Sequence, residues 1–170
     1  MPKEIIQSKN APVTGFTDQT KPSPLAQAIK AGDFLYVSGQ GPLDPETKQV
    51  VSDDIREQTL RTLQNLTNVL DAGGATMEHV INMRVCLRDV ADFPVFNEVF
   101  RDFMDGEKVT RTCIGGTPHR TGVNVEIDCV VSVRSHPDHD EPCTTSAHCL
   151  SRRSSSSRTP SRSCRRPASA

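Results

Sequence analysis

Apolar and polar residues change their rhythm along this chain, and each rhythm predicts an element. In "AQAIKAGDFLYVSGQGPLD" two short runs alternate around Gly32-Asp33, which predicts two strands joined by a tight turn, the second being "FLYVSG". "DPETK" reads as a turn with Pro45 at its second position, and a return strand follows at Gln49–Val51. From Ser52 the period lengthens. At about 100° per residue, Ile55, Thr59, Thr62, Leu63, Leu66, Val69 and Leu70 share one helix face, with Arg56, Glu57, Gln64 and Asn65 opposite. Ser52 is placed to cap this helix, Asp53 and Asp54 suit its positive end, and Gly73 stops it.

"HVINMRVCLRDV" alternates again, with Ile81, Met83, Val85 and Leu87 on one side and Asn82, Arg84, Cys86 and Arg88 on the other. A second helix is expected from about Asp92 to Asp105, its stripe formed by Phe96, Val99, Phe100 and Phe103. The strand "VTRTCIGG" and a last strand in "GVNVEIDCVVSVR" complete the set. Val123, Val125, Ile127, Cys129, Val131 and Val133 line one side of that last strand; Asn124, Glu126 and Asp128 line the other. The order β-β-(β)-α-β-α-β-β predicts an α+β fold, a two-layer sandwich of a mixed sheet with two helices on one face. The uncovered sheet face would show Tyr36, Arg84, Cys86, Arg111, Cys113, Glu126 and Val130. That mixture is too apolar to be fully solvated and too polar for a monomer core, so it predicts packing on another subunit, with polar groups lining cavities at the joint.

Composition divides the chain in two. The formal charge of −1 over 170 residues hides six arginines against three acidic residues in 135–170, a net of +3 that leaves −4 on residues 1–134. The acidic balance of the first part makes a nucleic-acid partner an unfavourable expectation. The tail has ten serines, no aromatic residue and Leu150 as its only large aliphatic, so it predicts a disordered Ser/Arg-rich extension that adds no chemistry. Its His136, His139, Cys143, His148 and Cys149 lack a finger spacing and do not predict a zinc site. The six cysteines contain no C-x-x-C pair, and reduced thiols are expected. "MPKEIIQSKN" has neither an apolar signal core nor the Arg-rich, acid-poor character of a transit peptide. The expectation is a cytoplasmic protein, mitochondrial as the alternative, with no membrane partner.

Arg111 is the residue that most needs explaining, because a guanidinium begins an apolar strand. Glu126 lies 15 residues on, across the loop "GGTPHRTG". An antiparallel hairpin would bring both to one end and one face of the sheet. There a planar guanidinium could grip a carboxylate and a neighbouring glutamate could polarise a water, which suits hydrolysis of a small anion. The plainer alternative is that the two side chains pair with each other. Cys113 reads as a cleft-lining or packing residue, with a nucleophilic role as the alternative if Arg111 lowers its pKa. His119 reads as a solvated loop histidine that could touch substrate.

The segments "AGDFLYVSGQGPLDPETKQVV", "DIREQTLRTLQNLTNVLDAGGATMEHVINMRVCLRDVADFPVFNEVF" and "RTC" followed by "VEIDCVV" resemble, in order and spacing, the RidA/YjgF family of reactive-intermediate deaminases. The resemblance runs from about Pro24 to Val133. It implies a chorismate-mutase-like α+β sandwich, a homotrimer with clefts between subunits, and a hydrolase acting on C=N bonds. Enamines and imines such as 2-aminoacrylate and 2-iminobutanoate would give 2-keto acids and ammonia, without metal or organic cofactor. It places the family's carboxylate-binding arginine at Arg111 and its water-holding glutamate at Glu126, the catalytic pair. It adds Cys113, Gly39 and Asn97 to the substrate-binding set. Leu25 stands where many members have a tyrosine, and the 115–122 loop differs. Both departures leave open a specialised deaminase of a larger enamine, such as 2-aminomuconate. A ribonuclease or translation inhibitor, or a non-catalytic small-ligand binder, are the readings from other classes.

Overall fold

The structure is a computed structural model that describes residues 2–13 and 23–133. The tail, with its candidate zinc ligands, lies outside the described residues. Eight elements follow in the order β1 (Glu4–Ile6), β2 (Ala28–Ala31), β3 (Phe34–Gln40), α1 (Ile55–Ala72), β4 (Val80–Leu87), α2 (Phe93–Met104), β5 (Thr110–Gly115) and β6 (Val125–Ser132). The N-terminal strand β1 was not apparent from sequence pattern. The expected return strand at Gln49–Val51 is reduced to one bridge, Leu43 with Val50.

Helix α1 forms because its apolar positions recur at helical spacing and an acid stands at its mouth. The cap is Asp54, whose carboxylate accepts from Glu57 N; Ser52, expected in that role, instead accepts from Asp54 N, two residues before the cap. Leu63, Leu66, Val69 and Leu70 are fully buried, each contributing about 1.5–3 kcal/mol through burial. Asn65, expected on the solvent face, is fully buried as well. Its amide donates to the carbonyls of Gly41 and Leu43 at 2.9 and 2.8 Å. A polar side chain is retained inside because it satisfies backbone that would otherwise be orphaned.

Helix α2 carries Pro94 in its first turn, where a missing N–H costs nothing. It ends where Asp105 (φ 45°) and Gly106 (φ 93°) turn into the left-handed region. Phe96, Phe100 and Met104 are buried. Both helices cover one face of a six-stranded sheet of order β1-β2-β3-β6-β4-β5. All pairings are antiparallel except β4 with β5, which α2 joins as a parallel β-α-β unit. Leu35 and Val37 of β3, Met83, Val85 and Leu87 of β4, and Val125, Ile127, Cys129 and Val131 of β6 face the helices. Ile81 was expected to join them. The β4–β6 register slips between Val80 and Asn82, so Val80 is buried in its place and Ile81 is exposed.

The sheet order overturns the expected hairpin. β5 and β6 are consecutive in sequence, yet β4 lies between them. A helix between β4 and β5 returns the chain to run beside β4 in the same direction. The 116–124 loop must then cross two strand spacings, about 10 Å, to reach β6. Arg88 ties this loop down by donating to the carbonyls of Val123 (2.8 Å) and Arg120 (3.0 Å). Gln58 of α1 donates to Gly122 O and accepts from Asn124 N, fixing the start of β6. Among the described residues no helix is long and apolar enough to cross a membrane.

A candidate active site in two halves

The first half lies at the free edge strand. Arg111 is in register with Met83 of β4, so it rises on the helix-covered side of the sheet and not on the open face. Its guanidinium carbon sits 5.7, 5.3 and 4.5 Å from the ring centres of Phe93, Phe96 and Phe100. This aromatic wall orients a cation and is worth about 0.5–2 kcal/mol per well-desolvated contact. Nη2 donates to Asn97 Oδ1 at 2.8 Å. Among the described residues Arg111 has no carboxylate partner. It opens onto a hollow of about 490 Å³ that Asn97, Phe100 and Lys108 also line. The α2 stripe of phenylalanines therefore has two tasks, filling the core and bracing a guanidinium that keeps donors to spare.

Cys113 follows on the same side, in register with Val85 and packed against the core. Burial pushes its thiol up, and the opposing pull of Arg111 is the smaller effect; this overturns the lowered pKa that a nucleophilic role needed. Burial likewise raises Cys86, and it pushes Cys129 up to about 12. Alkylation at neutral pH should therefore be slow at all three. Peptide mapping after brief iodoacetamide treatment is expected to find Cys113 and Cys86 modified more slowly than a free thiol, and Cys129 essentially unmodified. Cys113 labelling faster than free cysteine would restore the nucleophile reading.

The second half lies on the open face. Glu126 is in register with Cys86 and its carboxylate lies across the backbone of Gly39. A Cβ at position 39 would overlap Glu126 Oε1 and stand 3.0 Å from Cδ, so only glycine lets the carboxylate settle there. The register slip between Val37 and Gln40 in the β3–β6 pair shapes this seat. His119 comes in from the 116–124 loop, its Nδ1 3.7 Å from Glu126 Oε2. Arg84 and Asp128, cross-strand partners, pair at 3.0 Å. Leu25, Tyr36, Gly39, Arg84, His119 and Glu126 line an open hollow of about 740 Å³.

The structure thus brings Gly39 to Glu126, and Asn97 and Cys113 to Arg111. It does not bring the two sets together. Arg111 and Glu126 occupy opposite faces of the sheet with β4 between them, so neither the shared-face site nor the direct ion pair exists within one chain. Two open-face features escaped sequence reasoning. The Arg84–Asp128 pair had a signal, opposite charges on the polar sides of two alternating strands. The approach of His119 had none, because a loop's composition does not say where it points. Among the described residues no three His, Cys, Asp or Glu side chains cluster as a metal site.

The fold recurs among solved structures. The crystal structure of E. coli TdcF with bound serine matches at a TM-score of 0.68 and 28% identity, over 78% of this chain and 99% of that one. The family model described as Endoribonuclease L-PSP matches residues 19–133. A RutC family protein of Pyrococcus horikoshii is 37% identical over 129 residues, 75% of this chain and 96% of its own length. The 2-iminobutanoate/2-iminopropanoate deaminase of Dermatophagoides farinae is 29% identical over 133 residues, 78% of this chain and 98% of its own. The chain belongs to the RidA/YjgF (endoribonuclease L-PSP) family.

Proposed function

We propose that this protein is a cofactor-free hydrolytic deaminase of small carboxylate-bearing enamines and imines, of the 2-aminoacrylate and 2-iminobutanoate kind, and that it works as a homotrimer with its sites between copies. The observation that carries this reading is the split of the site. A guanidinium with spare donors stands at one edge strand, and a glutamate over a glycine stands on an open, half-apolar face. A second copy laid against that face supplies what each half lacks. The names of the D. farinae deaminase and of TdcF with its bound serine, an α-amino acid, support a ligand bearing an α-carboxylate.

In this reading Arg111 grips the substrate carboxylate through its planar fork. Glu126 of the adjoining copy holds a water against the imine carbon and takes a proton from it as the C–O bond forms. Free imines hydrolyse unaided, so positioning and charge stabilisation supply the acceleration. Collapse of the carbinolamine releases ammonia and leaves the 2-keto acid.

A second reading, a larger enamine substrate, is favoured by the roomy open-face hollow with Leu25 at its lip. The ribonuclease activity in the family's description is opposed by the net −4 of residues 1–134. The test couples the purified protein to an amino-acid dehydratase or oxidase and follows keto-acid formation while a scavenger competes for the imine. Faster keto-acid release from 2-iminobutanoate or 2-aminoacrylate is expected. Acceleration of 2-aminomuconate hydrolysis alone would favour the second reading, and no acceleration of any imine would refute deamination.

A further inference from the structure

The loop before β6 is not free to wander. Pro118 is buried. Arg120 is held from both sides: its carbonyl accepts from Arg88 Nη2 at 3.0 Å, and its own guanidinium donates to Lys48 O at 2.9 Å. Between these two anchored neighbours stands His119, with Nδ1 3.7 Å from Glu126 Oε2 and its side chain 54% exposed. A merely solvated histidine needs neither pinned neighbours nor a carboxylate beside it. The other charged groups of the hollow, Arg84 and Asp128, neutralise each other at 3.0 Å. Tyr36 lines the same wall. In the single chain one side of the imidazole faces the glutamate, 3.7 Å away, and the other is open, so the ring stands at the rim of the hollow where it can pass protons outward.

We infer that His119 is the proton relay of the Glu126 site, carrying protons between that carboxylate and solvent. The inference rests on the deaminase reading above. Hydrolysis of an imine moves two protons off one water. As the oxygen attacks, the C=N π pair passes to nitrogen and Glu126 takes the first proton. That proton passes to His119 Nδ1 and leaves the imidazolium for solvent, so Glu126 is ionised again in time for the second. The C–N electron pair then departs with nitrogen, the hydroxyl proton goes to Glu126 and out to solvent through His119 as the first did, and the C=O bond forms. The nitrogen draws two protons from solvent and leaves as ammonia, so atoms and charge balance without a further reagent. A single carboxylate enclosed between two copies holds one proton at a time, and a side chain that empties it keeps turnover from stalling.

The test uses the full chain and its His119→Gln and His119→Ala variants, with 2-iminobutanoate, in dilute non-imidazole buffer. Both variants are expected to lose about tenfold in kcat with KM unchanged. That is less than the roughly hundredfold and upward expected of a group touching the reacting atoms. Added imidazole should restore the variants by standing in for the missing ring, while it leaves Glu126→Gln inactive. Variants with wild-type kcat, or a loss that imidazole does not restore, would overturn the relay alone. A wild-type protein that releases no ammonia would bring down the deaminase reading and the relay with it.

Discussion

Replacing Arg111 by lysine is expected to cost nearly as much activity as replacing it by alanine. Lysine keeps the positive charge but not the planar pair of donors that meets both oxygens of a carboxylate. It also loses what holds the group in place, the stack on Phe93, Phe96 and Phe100 and the bond to Asn97. A hydrogen bond to a charged group contributes about 1.5–3 kcal/mol, so catalytic efficiency should fall by about tenfold to a hundredfold. The same variants should retain the cooperative unfolding of wild type, because Arg111 stands at the free edge of β5 and not among the fully buried side chains. A substrate amide, which lacks the carboxylate, separates binding from folding. Wild type should process it poorly, and Arg111→Lys should process it no worse than wild type does. Steady-state kinetics on folded protein decides the matter. If Arg111→Lys retains wild-type rates on 2-iminobutanoate, the guanidinium braces α2 and takes no part in substrate capture.

The elements that sequence pattern predicts well here are those set by neighbours close in the chain. The α1 face from Thr59 to Leu70 and the phenylalanine stripe of α2 follow from helical spacing. The alternation of β6 from Val125 to Val131 follows from strand period. The open-face set of Tyr36, Arg84, Cys86, Glu126 and Val130 follows from the same alternation. Partner choice is different, because strand pairing is a contact between distant segments. Nothing in "VTRTCIGG" tells whether it will pair with the strand that follows or with the one before α2. That choice also decides the face: paired in parallel with β4, Arg111 aligns with Met83 and turns toward the helices. The residue types of β5, TRTCIG, show almost no apolar–polar alternation, although its burial alternates from Thr110 to Ile114. Ile81 and Asn65 fail for narrower reasons. A register slip and a pair of buried carbonyls each override a periodicity that holds on both sides of them.

Two impaired variants are expected to restore each other. Assembled alone, Arg111→Ala should fall by about tenfold to a hundredfold and Glu126→Ala by about a hundredfold or more. Within one chain the two side chains stand on opposite sides of a sheet, with β4 between their strands. No change of rotamer carries a guanidinium through sheet backbone to meet a ligand held on the other face. A site that uses both must draw Arg111 from one copy and Glu126 from another. In a trimer that contains both variants, one of the three junctions joins an intact arginine to an intact glutamate, so about a third of the sites in purified mixed assemblies should be whole. Co-expression with two different affinity tags, followed by purification through both, isolates mixed assemblies for assay against 2-iminobutanoate. The control combines the two variants after each has assembled separately, and it should stay impaired until subunits exchange. Recovery in the mixed assemblies would establish that copies share sites. Mixed assemblies that form and remain impaired would mean that Arg111 and Glu126 do not act on the same substrate, and the two halves of this site would have to be explained apart.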